Sequence, residues 1–164
     1  RDLHSFPTRR SSDLWYDALC KEFDAAPPVG MNKRDSLVEG RIPIRTYRPA
    51  NVRTQTRLFY IHGGGFVVGS LESHDAICAE ISDAVGAELV SVDYRLAPEH
   101  VWPAAFEDCW AVLKHLLADG RPLVLIGDSA GGNLAVEFLT RAAPDGQTLM
   151  LLSGGIVTMH RAWA

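Results

Sequence analysis

The sequence predicts an α/β fold, a mainly parallel sheet with helices on both faces. Two observations carry that expectation. From Leu58 onward, short apolar runs alternate with amphipathic segments in a repeated strand, loop, helix rhythm. The runs Leu58-Phe59-Tyr60-Ile61 and Leu123-Val124-Leu125-Ile126 are continuously apolar, as strands covered on both faces are. Each run is followed at once by a glycine-rich turn: His62-Gly63-Gly64-Gly65-Phe66 after the first, Gly127-Asp128-Ser129-Ala130-Gly131-Gly132 after the second. Right-handed crossovers bring the carboxyl ends of parallel strands to one edge, so both turns are expected on the same rim.

Taken in order, residues 15–25 read as a short amphipathic helix stopped by Pro27-Pro28. A polar link follows, and then residues 41–47 (Arg-Ile-Pro-Ile-Arg-Thr-Tyr) alternate as a half-buried strand does. Further strands are predicted at 57–61, 88–93, 122–127 and 148–152, and helices at 73–86, 104–118 and 130–142. No internal repeat occurs. Residues His4 to Leu14 match the conceptual translation of a sequencing-library adapter, so residues 1–14 are set aside as non-native. That leaves 15–164 as a partial domain, with 15–35 as the remnant of an N-terminal cap region. The tail from Met159 to Ala164 carries no closing element, and the chain is expected to be truncated at its C-terminal end.

The composition, 47% hydrophobic and 22% charged over 164 residues, is that of a globular domain, and no apolar stretch is long enough to span a membrane. A formal charge of −4 without a basic stripe argues against nucleic acid as a partner. Cys20, Cys78 and Cys109 form no C-x-x-C pair and are odd in number, which predicts free thiols and a cytoplasmic setting. None has a histidine at ligand spacing, so no metal site is expected.

The two turns carry the chemistry. Gly127-x-Ser129-x-Gly131 fits a nucleophile elbow, a sharp strand-to-helix turn that lifts a serine clear of the sheet and needs small neighbours. The Ala130 amide then faces out of a helix N-terminus, where negative charge is favoured. A glycine and serine helix cap after a buried strand would look the same locally. Three consecutive glycines let successive amides converge on one anion, which in acyl transfer is the oxyanion of the tetrahedral intermediate. A flexible glycine loop is the plain alternative, and a phosphate loop is the functional rival, although G-x-x-x-x-G-K-[S/T] is absent. His62 precedes the glycines on a strand end and is expected to brace the loop through hydrogen bonds. His74 and His115, on or beside helices, are expected to be surface or packing residues.

Together with Asp93-Tyr94-Arg95-Leu96-Ala97-Pro98-Glu99, these turns resemble the hormone-sensitive-lipase family of α/β hydrolases, and residues 58–74 are especially similar to its bacterial acetyl esterases. The resemblance runs from about Trp15 to Leu152. It implies the α/β-hydrolase fold and an esterase that acts on a small or short-chain acyl ester, with no cofactor. By that resemblance Ser129 is the nucleophile, Gly64, Gly65 and Ala130 are the oxyanion donors, Gly63 shapes the turn, and Asp128 fixes the elbow through hydrogen bonds without being the catalytic acid. The stretches 93–99 and 100–108 would be structural, fixing the loop and helix behind the site. Family members carry a catalytic Asp and then a His well after the serine; Asp145 and His160 fit neither place, so both are expected to be missing. A non-catalytic ligand-binding receptor on the same fold, as in the plant gibberellin receptors, and an amidase or deacetylase of the same family remain as alternatives.

Overall fold

The apolar runs at 58–61 and 123–126 lie side by side in the interior of a six-stranded sheet. The computed structural model describes residues 11–141 and, as backbone, 148–153. The elements run α1 (Ser11–Lys21), β1 (Asn32–Val38), β2 (Ile42–Arg48), β3 (Arg57–Ile61), α2 (Asp75–Val85), β4 (Leu89–Val92), α3 (Ala104–Leu117), β5 (Leu123–Asp128), α4 (Ser129–Arg141) and β6 (Thr148–Ser153). Strand order is β1-β2-β4-β3-β5-β6. β3 pairs in parallel with β4 and β5, and β5 with β6, while β1 and β2 join as an antiparallel hairpin on the β4 side.

Every residue of β3 and β4 is buried, which explains why these strands lack alternation in the sequence. Their side chains divide between the two faces. Phe59, Ile61, Val90, Val92 and Leu125 pack with Val112 and Leu116 of α3 and with Leu134 and Phe138 of α4. Leu58, Tyr60, Leu89 and Ile126 pack with Cys78 and Ala79 of α2 on the other face. Predicted and observed bounds agree within two residues for β3 to β6 and for α2 to α4. All three cysteines are free thiols, with Cys78 and Cys109 buried. Among the described residues, no helix is long and apolar enough to cross a membrane.

Two elements differ from the sequence reading. The polar link contains β1, whose seven residues, Asn-Lys-Arg-Asp-Ser-Leu-Val, are mostly exposed, with only Val38 buried. A solvated, charged edge strand has no apolar alternation to betray it. Its partner is set instead by the turn at Glu39 and Gly40, with φ of 52° and 69°, closed by the Arg41 amide donating to the Val38 carbonyl at 3.1 Å. The first helix is also displaced: it starts at Ser11 and ends at Lys21. Its buried positions are the acidic Asp13 and Asp17, whereas Trp15 is 66% exposed, so the inward face is not the apolar one. A polar contact orients this helix, since Asp17 accepts a hydrogen bond from the buried Ser70 hydroxyl at 2.6 Å.

Behind the rim, Asp108 of α3 ties three segments together. Its carboxylate, 2% exposed, accepts from the Arg95 amide at 3.1 Å, from Arg95 Nε at 2.8 Å and from Arg41 of the hairpin turn. Burial alone would raise this carboxyl, but the arginine hydrogen bonds and charge hold it below the usual carboxylate range. Asp108→Asn is therefore expected to cost about 3 kcal/mol in urea unfolding at pH 7. Because the folded-state value is the lower one, the Asp108 contribution is present above the unfolded carboxylate value of about 4 and is lost as pH falls below it. The wild-type advantage over Asp108→Asn should shrink on acidification; a constant difference would contradict this.

Candidate active site

The parallel pairing of β3 with β5 places Ile61 opposite Gly127, so the two glycine turns leave the sheet side by side. β5 ends at Asp128 and α4 begins at Ser129 with no intervening residue. That abrupt change is absorbed at Ser129, whose φ of 48° is in the left-handed region. For a residue with a Cβ this costs about 1–2 kcal/mol. The surroundings enforce it: a methyl on Gly131 would collide with the carbonyl oxygen of Ile61, and one on Gly127 would lie 2.6 Å from the Gly131 oxygen. Only a chain without side chains at these positions lets the first turn of α4 sit on the end of β3. Ser129 is exposed, while Ala130 behind it is buried.

The loop after β3 takes a backbone that the triple glycine permits. Gly64, Gly65 and Phe66 have φ of 108°, 62° and 64°, and the Gly64 carbonyl accepts from the Val67 and Val68 amides at 3.1 and 3.0 Å. His62 is fully buried beneath it. Its Nδ1 donates to the Gly63 carbonyl at 2.7 Å, its ring stacks on Tyr94 at 4.2 Å, and its carbonyl accepts from the Tyr94 hydroxyl at 2.8 Å. Ala97 donates to the Phe66 carbonyl at 2.8 Å. Tyr94 and Ala97 thus hold the loop from behind.

Asp128 joins the loop to the elbow. Its Oδ1 accepts from the Gly63 amide and from the Tyr60 hydroxyl, each at 2.9 Å. Burial would raise this carboxyl, yet His74, Tyr60 and Gly63 hold it below the usual carboxylate range. The Tyr60 hydroxyl is pushed up, chiefly by burial and further by the Asp128 charge beside it.

His74 has a contact that local sequence did not signal. It is buried at the end of the rim loop, with Nε2 3.7 Å from Asp128 Oδ1 and its ring 5.3 Å from that of His62. Nothing in the residues flanking His74 marks it as a neighbour of the serine turn; only the return of the loop toward β3 brings it there. Asp145 and His160 lie outside the described residues.

Known proteins share this fold. Residues 58–161 match the family described as alpha/beta hydrolase fold. Esterase LipI of Mycobacterium tuberculosis is 42% identical over 85% of this chain and 49% of its own length. Ethyl acetate hydrolase of Pseudomonas putida is 40% identical over 74% of this chain and 41% of its own length. The chain therefore spans about half the length of the curated relatives it matches. Among solved structures, EstE5 soaked with p-nitrophenyl butyrate superposes with a TM-score of 0.72 at 31% identity, over 91% of this chain and 53% of that one. An esterase from the bacterial hormone-sensitive lipase family gives 0.70 at 30%, over 85% of this chain and 50% of that one.

The strain at Ser129 has a measurable signature. Glycine is the poorer residue in an ordinary helical first turn, but at φ 48° it relieves the Cβ clash. Ser129→Gly should be more stable than Ser129→Ala by about 1 kcal/mol in thermal or urea unfolding. The opposite ordering would show that the turn relaxes to an ordinary helix start.

Proposed function

Because this chain belongs to the alpha/beta hydrolase fold family, in its hormone-sensitive-lipase group, we propose that it carries the nucleophile and oxyanion hole of a serine carboxylesterase. The substrate class is a small or short-chain acyl ester. The observation that carries the reading is the left-handed backbone of an exposed serine, on a strand-to-helix turn tied by Asp128 to the triple-glycine loop. Strain of that kind persists where the surrounding structure over-determines it and where function uses it. The names of the relatives, esterase and ethyl acetate hydrolase, support the same class.

In the proposed cycle Ser129 Oγ attacks the ester carbonyl carbon as a histidine takes the hydroxyl proton. The carbonyl oxygen gains the charge and is held by the amides of Gly64, Gly65 and Ala130. The Gly63 amide is committed to Asp128, which is why Gly63 shapes the turn and leaves donation to its successors. Each such donor is worth about 3–4 kcal/mol when it meets the oxyanion and not the ground-state carbonyl. Collapse of the intermediate expels the alcohol, which takes the proton back from the histidine, and water then hydrolyses the acyl-enzyme by the same route reversed.

We assign the histidine base and its carboxylate partner to residues beyond those described. His62 spends Nδ1 on the Gly63 carbonyl beneath the loop, and His74 turns Nε2 to Asp128. Both rings serve the scaffold of the site.

In the complete polypeptide, Ser129→Ala should lower turnover of p-nitrophenyl acetate by about 10⁴-fold or more. Its thermal midpoint should stay close to that of the unaltered protein. Turnover within about tenfold of wild type would overturn the assignment.

A further inference from the structure

We infer that His74 is a positioning residue for ester hydrolysis, acting through Asp128 to hold the oxyanion loop against the nucleophile elbow; this rests on the esterase reading above. The carboxylate of Asp128 has two tasks at one oxygen, since Oδ1 anchors the Gly63 amide of the loop and belongs to the residue that immediately precedes Ser129. A rotation of that side chain would release the loop while leaving both turns intact. Two groups oppose the rotation by approaching the same oxygen from β3 and from the rim loop: the Tyr60 hydroxyl at 2.9 Å and His74 Nε2 at 3.7 Å.

The ring of His74 is itself held by a chain of buried polar groups. Ser73 Oγ lies 2.8 Å from His74 Nδ1. That oxygen accepts from the Ser70 amide at 2.8 Å and lies 3.1 Å from the Ser70 carbonyl; its one hydrogen, turned to Nδ1, leaves the N–H of the ring on Nε2. The Ser70 hydroxyl in turn accepts from the Glu72 and Ser73 amides, each at 3.0 Å, and donates to Asp17 of α1 at 2.6 Å. Asp17, Ser70, Ser73 and His74 are all buried, so each link left unmade would leave a polar group without water or partner. The chain runs from the first helix to the residue before the nucleophile.

Electrostatics give the arrangement a role in the transition state. An oxyanion forming at the Gly64, Gly65 and Ala130 amides develops close to the negative Asp128. An N–H of His74 aimed at that carboxylate offsets the repulsion, and the benefit appears only once the substrate oxygen is charged. Loss of His74 should then lower kcat and leave KM alone.

The test uses the complete polypeptide with p-nitrophenyl acetate, and thermal unfolding confirms that each variant is folded. His74→Gln, whose side chain cannot span Ser73 and Asp128 as the two ring nitrogens do, should lower kcat by about tenfold with KM within about twofold of wild type. Asp128→Asn should lower kcat at least as far. The double variant should be no slower than Asp128→Asn alone, within about twofold, because His74 works through Asp128. Unchanged kcat in folded His74→Gln, a rise confined to KM, or losses that multiply in the double variant would each overturn the inference. If His74→Gln does not fold, Ser73→Ala removes the partner of Nδ1 and must show the same split at about threefold, or the inference fails. Unaltered protein with no ester turnover would overturn the esterase reading, and this inference with it; ester turnover by the unaltered protein with an equal kcat in folded His74→Gln overturns the inference alone.

Discussion

One hydrogen bond joins the two halves of this site: the Gly63 amide donates to the carboxylate of Asp128. The first belongs to the loop that follows β3 and the second to the last residue of β5. In the proposed esterase neither turn would suffice alone, because an oxyanion hole must face the carbon that the nucleophile attacks. The strand order makes the bond possible by setting β3 beside β5 with Ile61 opposite Gly127. The glycine at position 131 then lets α4 approach the end of β3 so closely that a methyl group would strike its carbonyl.

The surrounding structure keeps this small arrangement rigid. β3 and β4 are buried along their full length, with α2 covering one face of the sheet and α3 and α4 the other. From that frame His62, Tyr94 and Ala97 grip the glycine loop from below and behind. Arg95, between two of them, is fixed by Asp108, which also takes Arg41 from the β1–β2 turn. The edge hairpin, the rim loop and α3 are thus joined through one buried carboxylate. The strain at Ser129 is affordable because so many contacts fix the backbone on both sides of it.

Much of this was legible in the residues. The continuous apolar runs at 57–61 and 122–127 could hardly be anything but covered strands, and the glycine turns after them marked the rim. His62 as a brace was expected from its place before the glycines, while Gly63 as a turn former and Asp128 as an anchor came with the family resemblance; in the structure His62 Nδ1 donates to the Gly63 carbonyl and the Gly63 amide to Asp128. What was not legible depended on contacts distant in sequence. β1 is held by its partner and by a positive-φ turn at Glu39-Gly40, so its own charged residues carry no strand signal. Helix α1 buries Asp17 and exposes Trp15, which reverses the rule that apolar residues mark the buried face. His74 is a neighbour of the elbow only because the loop from Gly63 to Ser73 folds back, a tertiary fact with no local signature.

The central claim is that Ser129 is a nucleophile, and covalent labelling tests it most directly. The complete polypeptide is treated with a fluorophosphonate, digested, and the modified peptide sequenced by mass spectrometry. The account predicts one stoichiometric adduct, on Ser129 in the peptide containing Gly127-Asp128-Ser129-Ala130-Gly131. An adduct on a different residue, or full ester turnover by protein whose Ser129 remains unmodified, would contradict it.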